Sequence, residues 1–446
     1  MTSTRSGKHT RVPKPEAPTK LAPSLRDAAS NTLNRPAGTL LRQACGSLAL
    51  LLLAVGVLYS NPAKKLDKPL ERLFAIGDVH GDFDDLCVLL KRFGLVDAQL
   101  HWTGGNTTLV QTGDLIDRGP KGREVMDLFM SLEKEATKAG GQVLPLLGNH
   151  EVMNILGDLR YVPPENYAGF ADSESPNRRK AAYQEYAAWY ASHAKLLAVL
   201  KQPVLAATEE EWMAKHPAGF TEYGEALSPD GNCGKWLRHH AAVAKIEGVI
   251  FLHGGIHPNL ISLKLEQINS QIHEEIEEFD KTKKDLVLRK VILPFFTIQE
   301  IAVAVQAELI RSRAGETAPD EEYQARLVRL LDFGNWLCMR DDGPLWFRGY
   351  DQWSEEGGAP QVENVLAAYD ASHLVVGHTV QKTAHIRSRF GGKVFLIDTG
   401  MLSTYWRGGR ASGLEIRAGR KFTAEYLDGQ ELLFEEKLLP SAGKEN

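Results

Sequence analysis

Two carboxylates and one guanidinium lie close together in residues 113–119, which read Gly-Asp-Leu-Ile-Asp-Arg-Gly. Asp114 and Asp117 could bind a cation or hold a proton, and Arg118 could pair with an anion. The apolar run at 108–111, directly before them, predicts a buried strand. Because open α/β sheets bind ligands at the carboxyl ends of their strands, this turn is a candidate functional site.

The same arrangement, an apolar run that ends in a polar turn, recurs along the chain. The further runs that predict strands are at 73–76, 142–147, 249–252, 373–376 and 393–397. An aromatic turn bracketed by glycines, at 343–349, adds an arginine. The candidate site residues collected from these turns are Asp78, His80, Asp114, Asp117, Arg118, Asn149, His150, His253, Arg348 and His378.

This set of side chains is rich in oxygen and imidazole donors, which suit divalent transition metals. One zinc ion needs about three or four ligands. The larger set suits two metal ions about 3.5–4 Å apart that share a carboxylate, activate water and neutralise phosphate oxygens. Arginine side chains would remain to hold a phosphate, and a histidine with an aspartate to protonate a leaving alkoxide.

Composition narrows the class of protein. The formal net charge of −5 argues against a general nucleic-acid binder, so no nucleic acid is expected as a partner. The 43% share of hydrophobic residues is ordinary for a globular protein. The four scattered cysteines form no Cys-x-x-Cys pair, which argues against a zinc ribbon or a disulfide framework.

The elements that must position the candidate residues alternate between strand and helix. Helical apolar spacing at 83–93 and 122–139 follows the first two polar turns. This order predicts an α/β fold, a layered α/β/β/α sandwich with mixed sheets. The chain around Asp428-Gly429 predicts a β-hairpin at a sheet edge.

The chain is expected to form a catalytic domain over residues 61–446. Within it, about 160–245 is predicted to be an insert, with a helix at 180–200 and an irregular surface excursion at 208–232. Residues of about 262–332, which include a mixed-charge run and further helical spacing, are predicted to form a helical cap.

The N-terminal part of the chain has a different character. Residues 1–43 are basic and lack apolar periodicity, which predicts a disordered tail. Residues 44–60 are almost wholly apolar. They fit a signal anchor that attaches the protein to a membrane, with a cleaved secretory signal peptide and an organelle-targeting presequence as alternatives.

Four motifs, in this order, resemble those of the phosphoprotein phosphatase family of metallophosphoesterases, which have a calcineurin-like fold. They read Gly-Asp-Val-His-Gly, Gly-Asp-Leu-Ile-Asp-Arg-Gly, Gly-Asn-His-Glu and His-Gly-Gly. The resemblance covers about residues 72–430. Within the family the chain is most similar to the Shewanella-like phosphatases, because of Gly81-Asp82 after the first motif's histidine and the Pro-Leu-Trp-Phe-Arg segment.

The resemblance implies a site for two metal ions, manganese or an iron and zinc combination. Asp78 and His80 would bind the first ion, and Asp114 would bridge the two. The second ion would be held by three further side chains, which are those of Asn149, His253 and His378.

The resemblance also implies the groups that act on the substrate. His150 would be the general acid and Asp117 would hold it. Arg118, Asn149 and Arg348 would bind the phosphate, with a looser motif around Arg348 than around the other two. The attacking group would be a hydroxide that bridges the two metals, in line with the bond that breaks.

The function implied is that of a metal-dependent protein phosphatase that acts on phosphoproteins. Its substrates would be phosphomonoesters of serine and threonine, with tyrosine as a further candidate. One alternative is a diadenosine polyphosphate hydrolase with the same metal site. The other is an inactive scaffold, which is disfavoured because no catalytic position is substituted. The sequence leaves the oligomeric state open.

Overall fold

A computed structural model of the protein describes residues 72–200, 205–314 and 320–436. The tail expected at 1–43 and the apolar segment at 44–60 lie outside the described residues. Among the helices that the structure describes, none is long and apolar enough to cross a membrane.

The first sheet has six strands in the order β11-β10-β9-β1-β2-β3. β1, β2 and β3 are parallel, and β1 pairs antiparallel with β9, which continues through β10 and β11 as an antiparallel meander. The bounds of these strands are β1 Leu73–Ile76, β2 Thr108–Gln111, β3 Gln142–Pro145, β9 Ser412–Arg417, β10 Lys421–Tyr426 and β11 Gln430–Glu435.

The second sheet has five strands in the order β4-β5-β6-β8-β7. β5, β6 and β8 are parallel, and β4 and β7 flank them as antiparallel edges. The bounds of these strands are β4 Val243–Ile246, β5 Val249–Leu252, β6 His373–Val376, β7 Arg387–Arg389 and β8 Val394–Leu396.

Helices follow β1, β2, β3 and β5, and they fill the long connections from β3 to β4 and from β5 to β6. The described helices are α1 Phe83–Arg92, α2 Gly122–Ala139, α3 Asn149–Ile155, α4 Pro164–Ala168, α5 Ser175–Leu197, α6 Glu209–Lys215, α7 Phe220–Leu227, α8 Asn232–Leu237, α9 Leu265–Leu288, α10 Ile298–Arg313, α11 Glu321–Leu331, α12 Gly349–Gln352 and α13 Glu355–Ala368.

The two sheets pack face to face. The evidence is that alternate residues of the central strands belong to different hydrophobic clusters. Leu73 and Ala75 of β1 share one cluster with Phe251 of β5. Their strand neighbours Phe74 and Ile76 belong to the cluster that also contains the helices. Strands that are buried on both faces need a layer on each side. The arrangement confirms the predicted α/β/β/α sandwich with mixed sheets.

Residues 208–232, predicted to be an irregular excursion, contain α6, α7 and the start of α8, so that prediction was wrong. Thr208 and Glu211 form a capping box that starts α6. The aromatic side chains Trp212 and Tyr223 are almost completely buried. The frequent Pro, Gly and acidic residues concealed these aromatic anchors, and burial of the anchors stabilises the short helices.

The structure also adjusts several element boundaries. The helix expected at 180–200 begins five residues earlier, at Ser175, and the third strand ends at Pro145 rather than at 147. The two antiparallel edge strands β4 and β7 were not predicted. The strands β10 and β11 form the hairpin expected around Asp428-Gly429.

Candidate metal centre

The polar turns of the two sheets converge on one buried centre. Asp78, Asp114 and Asn149 follow the parallel strands of the first sheet, and His253 and His378 follow β5 and β6 of the second. Each of these side chains is at most 7% exposed. The centre is therefore assembled from both layers of the sandwich, at the carboxyl ends of the parallel strands.

The Asp114 carboxylate lies in the middle of the centre. Its Oδ2 is 3.2 Å from His253 Nε2, 3.7 Å from His80 Nε2 and 3.9 Å from His150 Nε2. Its carboxylate forms one group of donor atoms with His80 and His150, and a second group with His253 and His378. Asp114 is thus common to two groups of three side chains that could each hold a metal ion.

The backbone around the centre adopts uncommon conformations. The residues with positive φ include His80 at 50°, Asp114 at 60°, Asp117 at 69°, Arg118 at 69° and His378 at 65°. Non-glycine residues in the left-handed region carry strain, and such residues cluster at functional sites. The left-handed conformation of His80 turns its ring towards Asp114, with Nε2 3.7 Å from Oδ2.

Two glycines allow the turns to approach each other. A Cβ on Gly148 would lie 2.2 Å from Asp114 Oδ1, and one on Gly377 would lie 2.3 Å from Asp78 Oδ1. Neither separation is compatible with non-bonded atoms. Glycine at these positions brings the carboxylates against the backbone of the neighbouring turn.

Backbone carbonyls orient the imidazole rings. His253 Nδ1 lies 2.9 Å from the Thr112 carbonyl, His80 Nδ1 3.1 Å from that of Ile116, and His378 Nε2 3.2 Å from that of Trp346. A carbonyl only accepts, so each of these nitrogens carries the proton. The other nitrogen of each ring then presents a lone pair to the centre, as metal-binding histidines do.

The lone pairs and oxygens meet at distances that call for a cation. His253 Nε2 lies 3.1 Å from His378 Nδ1 and 2.8 Å from Asn149 Oδ1. Burial and the neighbouring His150 lower the pKa of His80 to about 3. Burial and the charge of Arg348 lower the pKa of His378 well below its usual range. Neutral imidazoles beside carboxylates fit divalent metal ions.

The carboxylates of the centre respond in opposite ways. Burial and the nearby charges of Asp398 and Asp114 raise the pKa of Asp78. Burial also raises that of Asp114, but the imidazoles, led by His253, outweigh it and leave the pKa well below its usual range. Crowded carboxylates of this kind are stabilised by bound positive charge.

His150 and Asp117 form a buried pair beside the centre. His150 Nδ1 lies 2.6 Å from Asp117 Oδ2. Burial lowers the pKa of His150, but the negative charges of Asp114 and Asp117 outweigh it and raise the pKa. The ring can therefore carry a proton near neutral pH, with its Nε2 directed towards Asp114.

Arg118 lies between two aromatic rings at the mouth of the site. Its guanidinium is 3.6 Å from the centroid of the Tyr161 ring and 4.6 Å from that of Tyr405. Its buried Nε makes no hydrogen bond with any residue that the structure describes. A stacked guanidinium with an unused donor is ready to bind an anion.

Arg348 approaches the same site from the aromatic turn. Its Nη1 donates to the His378 carbonyl at 3.0 Å and to Thr379 Oγ1 at 3.1 Å. These contacts hold the guanidinium next to a candidate metal ligand. The structure thus brings together all ten candidate side chains, nine from strand ends and Arg348 from the aromatic turn.

Two residues of the site, Glu151 and Asp398, were missed. Glu151 accepts hydrogen bonds from the backbone N–H groups of Asp114, Leu115 and Gly148, and so joins two of the turns. Asp398 lies beside Asp78, and burial raises its pKa to about 6. Asp398 carried the same signal as the others, because it also follows a strand. Glu151 could have been found from its place in the third motif.

Comparison with known proteins agrees with this geometry. The family model described as calcineurin-like phosphoesterase matches residues 71–382. An uncharacterized protein of Schizosaccharomyces pombe is 30% identical over 338 residues, which is 75% of this chain and 74% of that protein. A protein named Shewanella-like protein phosphatase 2, from Arabidopsis thaliana, is 34% identical over 48% of this chain and 54% of that protein.

The fold is also similar to that of a solved phosphatase structure. The crystal structure of a cold-active protein-tyrosine phosphatase of a psychrophilic Shewanella species superposes with a TM-score of 0.52 and 25% sequence identity. The superposition covers 82% of this chain and 80% of that one. The resemblance that the motifs carried is confirmed. The chain belongs to the calcineurin-like phosphoesterase family.

Proposed function

We propose that this protein is a metal-dependent protein phosphatase, a phosphoric monoester hydrolase that acts on phosphoproteins. The observation that carries the proposal is the Asp114 carboxylate, which both candidate metal groups share. The relatives named as protein phosphatases support the substrate class.

Six side chains would hold two metal ions, which we propose are Mn²⁺ or a combination of iron and zinc. Asp78 and His80 are assigned to one ion, Asp114 to both, and the remaining ligands to the other ion, namely Asn149, His253 and His378. When bound, the ions would supply positive charge to the phosphate and lower the pKa of the attacking water.

The other side chains act on the substrate. Arg118 and Arg348 pair with the phosphate oxygens, with Asn149 near by, and hold the phosphorus in line for attack. The pair formed by His150 and Asp117 delivers a proton from His150 Nε2 to the leaving oxygen. Serine and threonine phosphomonoesters are the proposed substrates, and phosphotyrosine is the competing candidate.

The test is a phosphatase assay on purified protein loaded with Mn²⁺, with phosphothreonine and phosphotyrosine peptides as substrates. We expect His150→Ala to lower kcat by roughly 100-fold or more, the usual contribution of a general acid, with metal content unchanged. Asp114→Asn is expected to lower both activity and the number of metal ions bound per chain. Asp84→Asn, at an exposed surface ion pair with Lys121, is the matched control.

Diadenosine tetraphosphate, assayed in parallel, tests the alternative. If the protein hydrolyses the dinucleotide faster than both peptides, its function is that of a dinucleotide hydrolase and not of a protein phosphatase. Absence of turnover on every substrate with two metals bound would favour an inactive scaffold. Full activity of Asp114→Asn would refute the site assignment itself.

We also propose that residues 44–60 anchor the protein to a membrane or direct it into the secretory pathway, with organelle targeting as the alternative. The apolar character of the segment supports the proposal. Fractionation of the full chain and of a form that lacks residues 1–60 tests it. Equal recovery of both forms in the soluble fraction would contradict an anchor.

A further inference from the structure

We propose that Tyr223, in the insert between the third and fourth motifs, positions the acid pair of His150 and Asp117 through Asn154. The inference rests on the proposed function, because it concerns the proton that leaves His150. It assigns a role in the site to a part of the chain that carries none of the four motifs.

The contact between the insert and the acid pair is a chain of buried hydrogen bonds. Tyr223 OH donates to Asn154 Oδ1 at 2.6 Å. Asn154 Nδ2 lies 2.9 Å from both carboxylate oxygens of Asp117. Asp117 Oδ2 in turn accepts from His150 Nδ1. All four residues are at most 4% exposed, so water does not compete for these bonds.

The amide of Asn154 is held at both ends. Its Nδ2 also donates to the His150 carbonyl at 2.9 Å, so two acceptors face its NH₂ end. The Asp117 carboxylate accepts hydrogen bonds, so it needs the NH₂ end of the amide. The oxygen end then faces Tyr223, whose hydroxyl can donate to it. Without that hydroxyl, the buried amide oxygen would lose its partner. The amide would lose its anchor at that end, so its NH₂ group would hold the Asp117 carboxylate in a less defined position.

Packing within the insert fixes the position of Tyr223. Its ring meets Tyr167 edge-on at 5.2 Å and Phe170 edge-on at 5.0 Å. Tyr223 belongs to α7, and Tyr167 to α4, so two helices of the insert hold the hydroxyl in place. The chain of bonds therefore connects the fold of the insert to the geometry of the acid.

The affected step is transfer of a proton to the leaving group. The oxygen of the attacking water forms a bond to phosphorus while the bond between phosphorus and the substrate oxygen breaks. The electron pair of that bond goes to the leaving oxygen, which takes the proton from His150 Nε2. The attacking water releases one proton to solvent, and His150 regains one from solvent, so the products are inorganic phosphate and an alcohol.

The experiment compares two leaving groups in Tyr223→Phe. Nitrophenolate leaves without a proton, whereas the alkoxide of a phosphothreonine peptide needs one. We expect kcat on the peptide to fall by roughly 10-fold and kcat on p-nitrophenyl phosphate to fall less than 2-fold. The KM for both substrates and the metal content are expected to stay near those of wild type.

Tyr186→Phe is the matched control. Tyr186 also lies in the insert and is buried, and its hydroxyl accepts a hydrogen bond from Ala207 N, away from Asp117. The Tyr186→Phe variant therefore loses a similar buried hydrogen bond without disturbing the acid pair. The control is expected to lower both activities equally, or neither.

Asn154→Leu is the second variant, because it removes the donor to Asp117 directly and keeps a similar volume. It should separate the two substrates at least as strongly as Tyr223→Phe. If both variants lose activity equally on the two substrates, or lose none, the inference is overturned. Turnover of the peptide by the wild-type protein would still support the proposed function in that case. A wild-type protein that hydrolyses neither substrate would overturn the proposed function and the inference with it.

Discussion

At the scale of single residues, the centre depends on backbone positions that most side chains would disturb. His378 has a left-handed backbone conformation, and Gly377 before it carries no Cβ that would strike Asp78. The Asp78 carboxylate also accepts a hydrogen bond from the His378 N–H at 2.9 Å. The glycine therefore allows one candidate ligand to pack against the turn that carries another.

Gly377→Ala tests this close approach. The added Cβ would lie 2.3 Å from Asp78 Oδ1, so the carboxylate has to move. We expect metal affinity to fall by roughly 10-fold or more, as for other changes that reorient ligands. Titration of the metal-free protein with Mn²⁺ measures it. Gly429→Ala, with open space around the added atom, is the control, and equal affinities in the two variants would contradict the role of Gly377.

At the scale of elements, a buried carboxylate connects helix α9 to the loop beside the centre. Glu275 of α9 accepts hydrogen bonds from the backbone N–H groups of Leu337 and Cys338. The Cys338 carbonyl accepts from Trp346 Nε1, and the Trp346 carbonyl contacts His378 Nε2. Helix α9 thus supports the loop whose Trp346 carbonyl orients His378, a candidate metal ligand.

Glu275→Ala is expected to loosen this loop. Two buried N–H groups would lose a charged acceptor, which costs about 2–4 kcal/mol of the free energy of unfolding. Because the loop also carries Arg348, the KM for a phosphopeptide should rise. Denaturant unfolding and steady-state kinetics measure the two effects. Glu274→Ala, at the exposed neighbouring position of α9, should change neither quantity.

At the scale of the whole molecule, the candidate metal centre joins the two sheets. Asp78, Asp114 and Asn149 come from the first sheet, and His253 and His378 from the second. Metal ions that bind these ligands would stabilise the folded chain by mass action, since the unfolded chain has no such site. The centre would therefore hold the sandwich together as well as provide its chemistry.

Removal of the metal ions tests whether they stabilise the folded sandwich. At a free metal concentration of 100 times the dissociation constant, binding stabilises by about 2.7 kcal/mol. We expect Tm to fall by roughly 5 °C when a chelator removes the ions. Tm should recover when Mn²⁺ is restored. The His253→Ala variant should lose most of this dependence, and an unchanged Tm on chelation would contradict two-sheet binding.

The central strands and the helices at 83–93 and 122–139 could be predicted from sequence because their apolar periodicity is local. The three short helices between 209 and 237 could not, since tertiary burial of Trp212 and Tyr223 stabilises them more than their local composition suggests. The edge strands β4 and β7 were missed for a different reason. Each pairs with the next strand along the chain across a short turn, but both are short and contain charged residues, so neither shows a strand pattern of its own.

By itself, the sequence determined most of the residues that meet at the site. Parallel strands end at the same edge of a sheet, so polar residues after each strand must gather there. Only the tertiary structure decided how they meet. The left-handed turn at His80, the carbonyls that select each imidazole nitrogen, and the path from Tyr223 to Asp117 depend on contacts between distant segments. No local pattern specifies such contacts, because packing of the whole chain sets their distances.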